Sequence, residues 1–143
     1  MIGLLQLLSV CLFASVGLIS LNMAAKSLRS RSFLSFHAAA YGNSWDSVDG
    51  RLQAVILALL RTVGLGFLVV GLLLLLVPII DCFVPLSFFA VLSPILSLLF
   101  CFGLGVVNHR LHQQTGAKTP WKESFFASAM IMAGIILSMI QKS

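Results

Sequence analysis

Long apolar stretches separated by short polar ones set the pattern of the chain. Residues 1–25, 52–80, 82–107 and 124–141 carry no charged side chain apart from Arg61. A helix needs roughly 20 apolar residues, within about 17–25, to cross the hydrocarbon core of a bilayer. Each stretch therefore predicts one membrane-spanning helix. The spans fall at about 2–25, 52–80, 83–107 and 123–141, with polar connectors at about 26–51 and 108–122. The expected fold is an all-α membrane protein: four transmembrane helices in one polytopic domain over residues 1–143.

Composition agrees with the pattern. Soluble domains carry about a quarter charged residues, whereas this chain carries 9% charged and 59% hydrophobic residues, with a mean hydropathy of +1.08. Too few charges remain to cover a water-facing surface. The opening "MIGLLQLLSVCLF" has no basic residue before Lys26, so it reads as a span and not as a secretory signal, which needs a basic n-region. Val10 before Cys11 argues against a lipoprotein signal. Cys11, Cys82 and Cys101 lack the spacing of a zinc or redox pair and read as small apolar residues.

The basic residues orient the chain. Lys26, Arg29, Arg31 and Arg51 lie in the first connector, and Arg110, Lys118 and Lys122 in the third; the second connector, around Asp81, has none. Lys and Arg concentrate in cytoplasmic loops, so both basic connectors are expected inside and both termini outside. The +5 net charge then reflects topology and contact with anionic lipid head groups. No basic stretch with stacking residues suggests a nucleic-acid groove.

The first connector is the most varied segment. In "SFLSFHAAAYGNSWDSVDGR", Phe33, Phe36, His37, Ala40 and Tyr41 share one side of a short helix, which Gly42 and Asn43 break. This predicts an amphipathic helix in the interface, then a turn through Trp45 to a second span capped by Ser47. Small residues recur every four positions at Ala54, Ala58, Thr62 and Gly66, and again at Ser93, Ser97, Cys101 and Gly105. Such stripes let helix backbones approach in lipid and predict close packing of the second span on the third. Pro94 predicts a kink. Thr119, with Pro120 behind it, predicts the cap of the last helix.

Candidate chemistry is sparse. Arg61 is the one charge inside a span, and such residues are costly there; near the cytoplasmic end its side chain can snorkel to the surface. His37, Trp45, Asp46 and Arg61 form the candidate ligand- or lipid-binding set. His109 and His112, three residues apart, are weak metal candidates, because metal sites want three or four ligands. No cofactor, catalytic triad or phosphate-binding loop is indicated. The segments "FLSFHAAAYGNSWDSVDGRLQAVILALLRTVGLGFL" and "TGAKTPWKES" resemble a group of small four-helix bacterial inner-membrane proteins of uncharacterised function. The resemblance covers nearly the whole chain, implies a multi-pass protein of the inner (plasma) membrane, and carries no activity. The leading expectation is a non-enzymatic accessory or interaction subunit that associates with itself or with a membrane protein partner. The alternative is a transporter of small solutes or lipids acting as an oligomer.

Overall fold

The computed structural model describes residues 3–81, 83–84 and 87–142; Cys82, and Ile2 as the start of the first span, lie outside the described residues. The helices are α1 (Leu4–Arg29), α2 (Ser35–Tyr41), α3 (Gly50–Asp81), α4 (Ser87–Thr115) and α5 (Trp121–Lys142). A single 3-10 turn, Trp45–Ser47, separates α2 from α3, and no strand occurs among the described residues. All but α2 are long and apolar enough to cross a membrane. The chain is a polytopic helical membrane protein with a short helix between its first and second spans.

The helices outrun the charge-free stretches. α1 continues to Arg29 and α4 to Thr115, so the third connector shrinks from the expected 108–122 to residues 116–120. A charge marks the edge of the hydrocarbon, not the end of a hydrogen-bonded helix. Lys26 and Arg29 in the last turn of α1, and His112 in that of α4, suit the negative end of the helix dipole. α3 spans 32 residues, about 48 Å at 1.5 Å per residue, against roughly 30 Å of hydrocarbon.

Two expected caps are corrected. α3 starts at Gly50, and its cap is Asp49, whose Oδ2 accepts from the amides of Arg51 (3.0 Å) and Leu52 (3.4 Å). Ser47 is held in the 3-10 turn instead, its hydroxyl donating to the Ser44 carbonyl at 2.7 Å. Thr119 donates to the Asn108 carbonyl at 2.8 Å, which ties the third connector back to α4, and α5 begins at Trp121.

Each long helix packs on its neighbours in the ring α1–α3–α4–α5, which closes by α5 on α1, and α1 on α3 is the broadest interface. The buried faces explain it. Gly17, Leu21, Ser27 and Leu28 of α1 meet Gly64, Gly71 and Leu75 of α3. On α3 the buried positions Leu60, Gly64, Phe67, Gly71 and Leu74 alternate in steps of four and three, the repeat of left-handed helix pairs. At the crossing, a Cβ on Gly71 would lie 3.0 Å from the Gly17 carbonyl oxygen and 2.8 Å from Leu21 Cγ. Only glycine fits both sides.

The expected α3–α4 stripe pairing is therefore only half present. Ala54, Ala58 and Thr62 are exposed, and Thr62 turns its hydroxyl back to the Ala58 carbonyl at 3.0 Å. Gly66 faces the Phe100 ring, not a backbone. On α4 the stripe is buried, and Gly105 receives the Phe125 ring of α5. α5 docks on α1 through the Phe13 ring against Gly134 and a 2.8 Å bond from the Ser9 hydroxyl to the Gly134 carbonyl. The core draws on all four spans: Phe13, Val16, Val70, Leu74, Cys101 and Ile131.

Candidate functional site

The connector end of the bundle is organised by aromatic packing. α2 ends at Gly42, whose φ of 78° lies in the left-handed region that glycine tolerates best and whose amide donates to Ala38 O at 3.0 Å. The chain then folds back, so that the Trp45 ring stands edge-on to Phe33 with centroids 4.7 Å apart, and Tyr41 lies 5.3 Å from the same ring. Gln53, one turn into α3, donates to the carbonyls of Trp45 (3.0 Å) and Val48 (3.1 Å). Val48 is buried beneath this turn. The connector is a folded cap, not a free loop.

Beneath that cap lies a cavity of about 740 Å³. Every helix contributes to its wall. Phe33 and Leu34 just before α2, with Phe36, His37, Ala40 and Tyr41 of α2, supply the roof. The deeper wall is apolar: Val16 and Ile19 of α1, Leu60, Val63 and Phe67 of α3, Cys101 and Leu104 of α4. Polar groups gather near the roof at Ser27, His37, Asn108, Glu123 and Ser124, with Ser20 deeper in the wall beside Ile19. Along α4 the wall runs from Leu111 to Cys101, about 15 Å at 1.5 Å per residue. That is half of a roughly 30 Å hydrocarbon core, or one leaflet.

Electrostatically the wall is nearly bare. It includes no Lys or Arg, and its one carboxylate, Glu123, is exposed at the first turn of α5. The His37 Nδ1 is buried without a hydrogen-bond partner, and burial holds the imidazole below the usual histidine value of 6.5. An unpartnered polar atom in such a place is uncommon, because desolvation without a bond costs about 1–3 kcal/mol.

The sequence-derived candidates do not converge. His37 reaches the cavity, while Trp45 supports the roof from outside by packing on Phe33. Asp46 is exposed in the 3-10 turn. Arg61 is exposed on a face of α3 turned away from the wall formed by its neighbours Leu60 and Val63, and it makes no ion pair among the described residues. It lies 11 residues past Gly50, about 16 Å along the helix, within reach of the connector-side interface by snorkelling.

His109 and His112 are positioned by packing. The Trp121 ring lies 4.8 Å from His109 and 6.3 Å from His112. His112 Nδ1 donates to the Ala117 carbonyl at 2.7 Å, and the Gln113 amide lies 3.2 Å from His109 Nε2. Among the described residues no group of three or more His, Cys, Asp or Glu is arranged to hold a metal ion. The pair braces the third connector.

Sequence reasoning missed Ser20, Ser27, Asn108, Glu123 and Ser124, which all line the cavity. One signal was available: Asn108 lies three residues beyond Gly105 and continues the buried stripe Ser93–Ser97–Cys101–Gly105. Comparison of the chain with protein-family models, with curated proteins and with solved structures found no match, so the functional reading rests on this cavity.

Proposed function

We propose that this multi-pass membrane protein binds an amphipathic lipid in the cavity beneath α2, as a non-enzymatic lipid-handling component of the bacterial inner membrane. The observation that carries the reading is the gradient of the wall: apart from Ser20 its polar side chains gather under the roof, and the rest of its depth is apolar. An apolar space of this size does not hold ordered water, which needs two to four polar partners per molecule. A hydrocarbon chain satisfies it. Pockets of roughly 300–1,000 Å³ bind small molecules by burying most of their surface, and 740 Å³ lies within that range.

The basic connectors orient the protein with α2 at the cytoplasmic surface and the termini outside. Reporter fusions at Asn43 and Thr115 should read cytoplasm, and a fusion at Asp81 the far side. The binding reading is tested by native mass spectrometry of protein purified from membranes. The unaltered chain should retain an amphiphile. Leu104→Trp, which places an indole in the cavity, should remove it without loss of folded protein. Equal retention by both proteins would exclude the cavity as the site.

A further inference from the structure

We infer that the cavity takes its occupant sideways from the bilayer, as a two-chain phospholipid that enters between α3 and α4 with its phosphate on Arg110; this rests on the reading of the cavity as a lipid site. The register of the two helices comes first. Phe100 of α4 stands edge-on to Phe67 of α3 and fills the space over Gly66, so these residues are level. Two turns toward the connectors, helix periodicity brings Leu59 of α3 and Val107 of α4 opposite each other. Packed helices would bury both. Instead Leu59 is 62% exposed and Val107 63%. A Cβ on Gly103, at the same end of α4, would meet nothing within 4 Å. Leu59, Val63 and Val107 also line the cavity. The α3–α4 seam is open here, and the cavity has a window in its side.

The neighbouring seams are closed at this level or wrongly charged. A Cβ on Gly64, beside Val63, would lie 3.0 Å from Leu28 Cγ of α1, and one on Gly105 would lie 3.2 Å from the Phe125 ring of α5. Between α1 and α5, Ile19 lines the cavity and is exposed. Glu123 stands on that side, three turns before the α1-facing Gly134. It sets like charge against a phosphate. Toward the cytoplasm the roof is held in place by the packing of Phe33 on Tyr41 and Trp45.

The level of the window in the membrane names the occupant. Arg61 and Asp81 bracket the uncharged run of α3 and lie 20 residues apart, about 30 Å, which is the thickness of the hydrocarbon. Val63 is two residues inside that limit and Leu59 two residues outside it. The window therefore straddles the boundary between acyl chains and head groups. Arg110 follows Val107 by three residues, about 4.5 Å farther out, within a head-group layer about 5–7 Å deep. It is seven residues past Gly103, close to two full turns, and so shares the open side of α4. Its guanidinium is exposed and has no partner among the described residues. A phospholipid matches this order of groups. Its phosphate meets Arg110, one chain passes through the window onto the apolar wall, and the other chain stays in the bilayer. No charge is drawn into the cavity, so none is buried unpaired.

The test uses the full-length protein in detergent with dioleoylphosphatidylglycerol and dioleoylglycerol, which share both chains and differ in the phosphate. Each is titrated by native mass spectrometry. Val107→Trp, which sets an indole in the window, should weaken both by about tenfold or more, the loss expected from excluding two methylenes. Val107→Phe, a smaller plug, should weaken both by less, and it serves if circular dichroism shows that the indole disturbs the helix. Ile19→Trp, on the α1–α5 side, should change either affinity by no more than about twofold, as surface substitutions do. Arg110→Gln should weaken phosphatidylglycerol by about fivefold, the worth of one basic residue at an anionic surface, and leave dioleoylglycerol unmoved. Unchanged binding in both Val107 variants, or a larger loss in Ile19→Trp, overturns the window. Arg110→Gln without effect, or with equal effect on the two lipids, overturns the phosphate contact. If Leu104→Trp blocks binding and neither Val107 variant does, the cavity reading stands and this inference falls. If the unaltered protein binds neither lipid, both fall.

Discussion

Two faces of α3 meet the rest of the bundle in opposite ways. Toward α1, Gly64 and Gly71 let the backbones come together, and the Gly17 carbonyl oxygen lies 3.0 Å from where a Gly71 Cβ would stand. Toward α4, the rings of Phe67 and Phe100 meet edge-on at 5.3 Å between centroids, and Phe100 also fills the space over Gly66. The cavity lies on the connector side of this contact, with both helices in its wall. Gly17 and Gly71 face each other, so each meets the other's backbone carbonyl, with leucine side chains packed beside them. A phenylalanine opposite a glycine takes up the space and holds the backbones apart.

The largest expected effect tests the tight face. Gly71→Val places carbon against Leu21 and the Gly17 carbonyl, so it should lower unfolding stability by about 3 kcal/mol or more, the upper range of overpacking. Gly103, with open space where its Cβ would be, is the control. Gly103→Ala should be neutral or gain up to about 1 kcal/mol. Denaturant titration in mixed micelles, followed by circular dichroism, measures both. Equal losses at the two sites would break the contrast.

The next sharpens the open face. Leu104→Trp adds a volume comparable to that of Gly71→Val, yet should cost less than about 1 kcal/mol in the same titration, because the added atoms enter a cavity and not a packed seam. A loss comparable to that of Gly71→Val would mean that the cleft is closed in solution.

A smaller effect concerns the cap of α3. Asp49→Ala should cost about 1 kcal/mol, as losing an N-cap does, and Ser47→Ala less than about 0.5 kcal/mol, as is usual for surface substitutions. Amide exchange at Arg51 and Leu52 distinguishes them, since only the first change frees those donors.

The smallest is the dependence on pH. His37 is held below its usual 6.5 by burial, so at low pH the unfolded chain binds a proton that the folded chain resists. Its contribution is fully present above 6.5 and is lost as pH falls from there through the folded value. Amide exchange in α2 should therefore quicken on going from about pH 8 to about pH 5, through the window in which histidine titrates. His37→Leu should flatten that change. A flat profile in the unaltered protein would show that the roof does not depend on the neutral imidazole.

The sequence exposed the face contrast only in part. Strict four-residue spacing picked out Ala54, Ala58, Thr62 and Gly66, of which the first three are exposed and Gly66 meets Phe100, while the working α1–α3 seam sets Gly17, Gly64 and Gly71 among Leu21, Leu28 and Leu75. A search for small residues alone passes over a seam in which large and small positions interlock. His37 was legible as a site residue because a histidine in an aromatic segment stands out. Ser27, Asn108 and Ser124 were not, because a lone serine or asparagine near a helix end has the same local signature whether it lines a cavity or faces water.

By itself the sequence determined the four spans, the short helix between the first two and the clustering of positive charge at one end. Each of these follows from local quantities: the length of an apolar run against the bilayer, a helix-breaking Gly42, and side-chain charge. The partner of each helix face, the tie of Thr119 to the Asn108 carbonyl, and the packing of the α2 aromatic face over the cavity were decided only by tertiary structure. They depend on which surfaces meet across the bundle, and in a uniformly apolar chain hydrophobicity does not rank those faces. Shape does, through the fit of Gly71 on Gly17 and the wedge of Phe100 over Gly66.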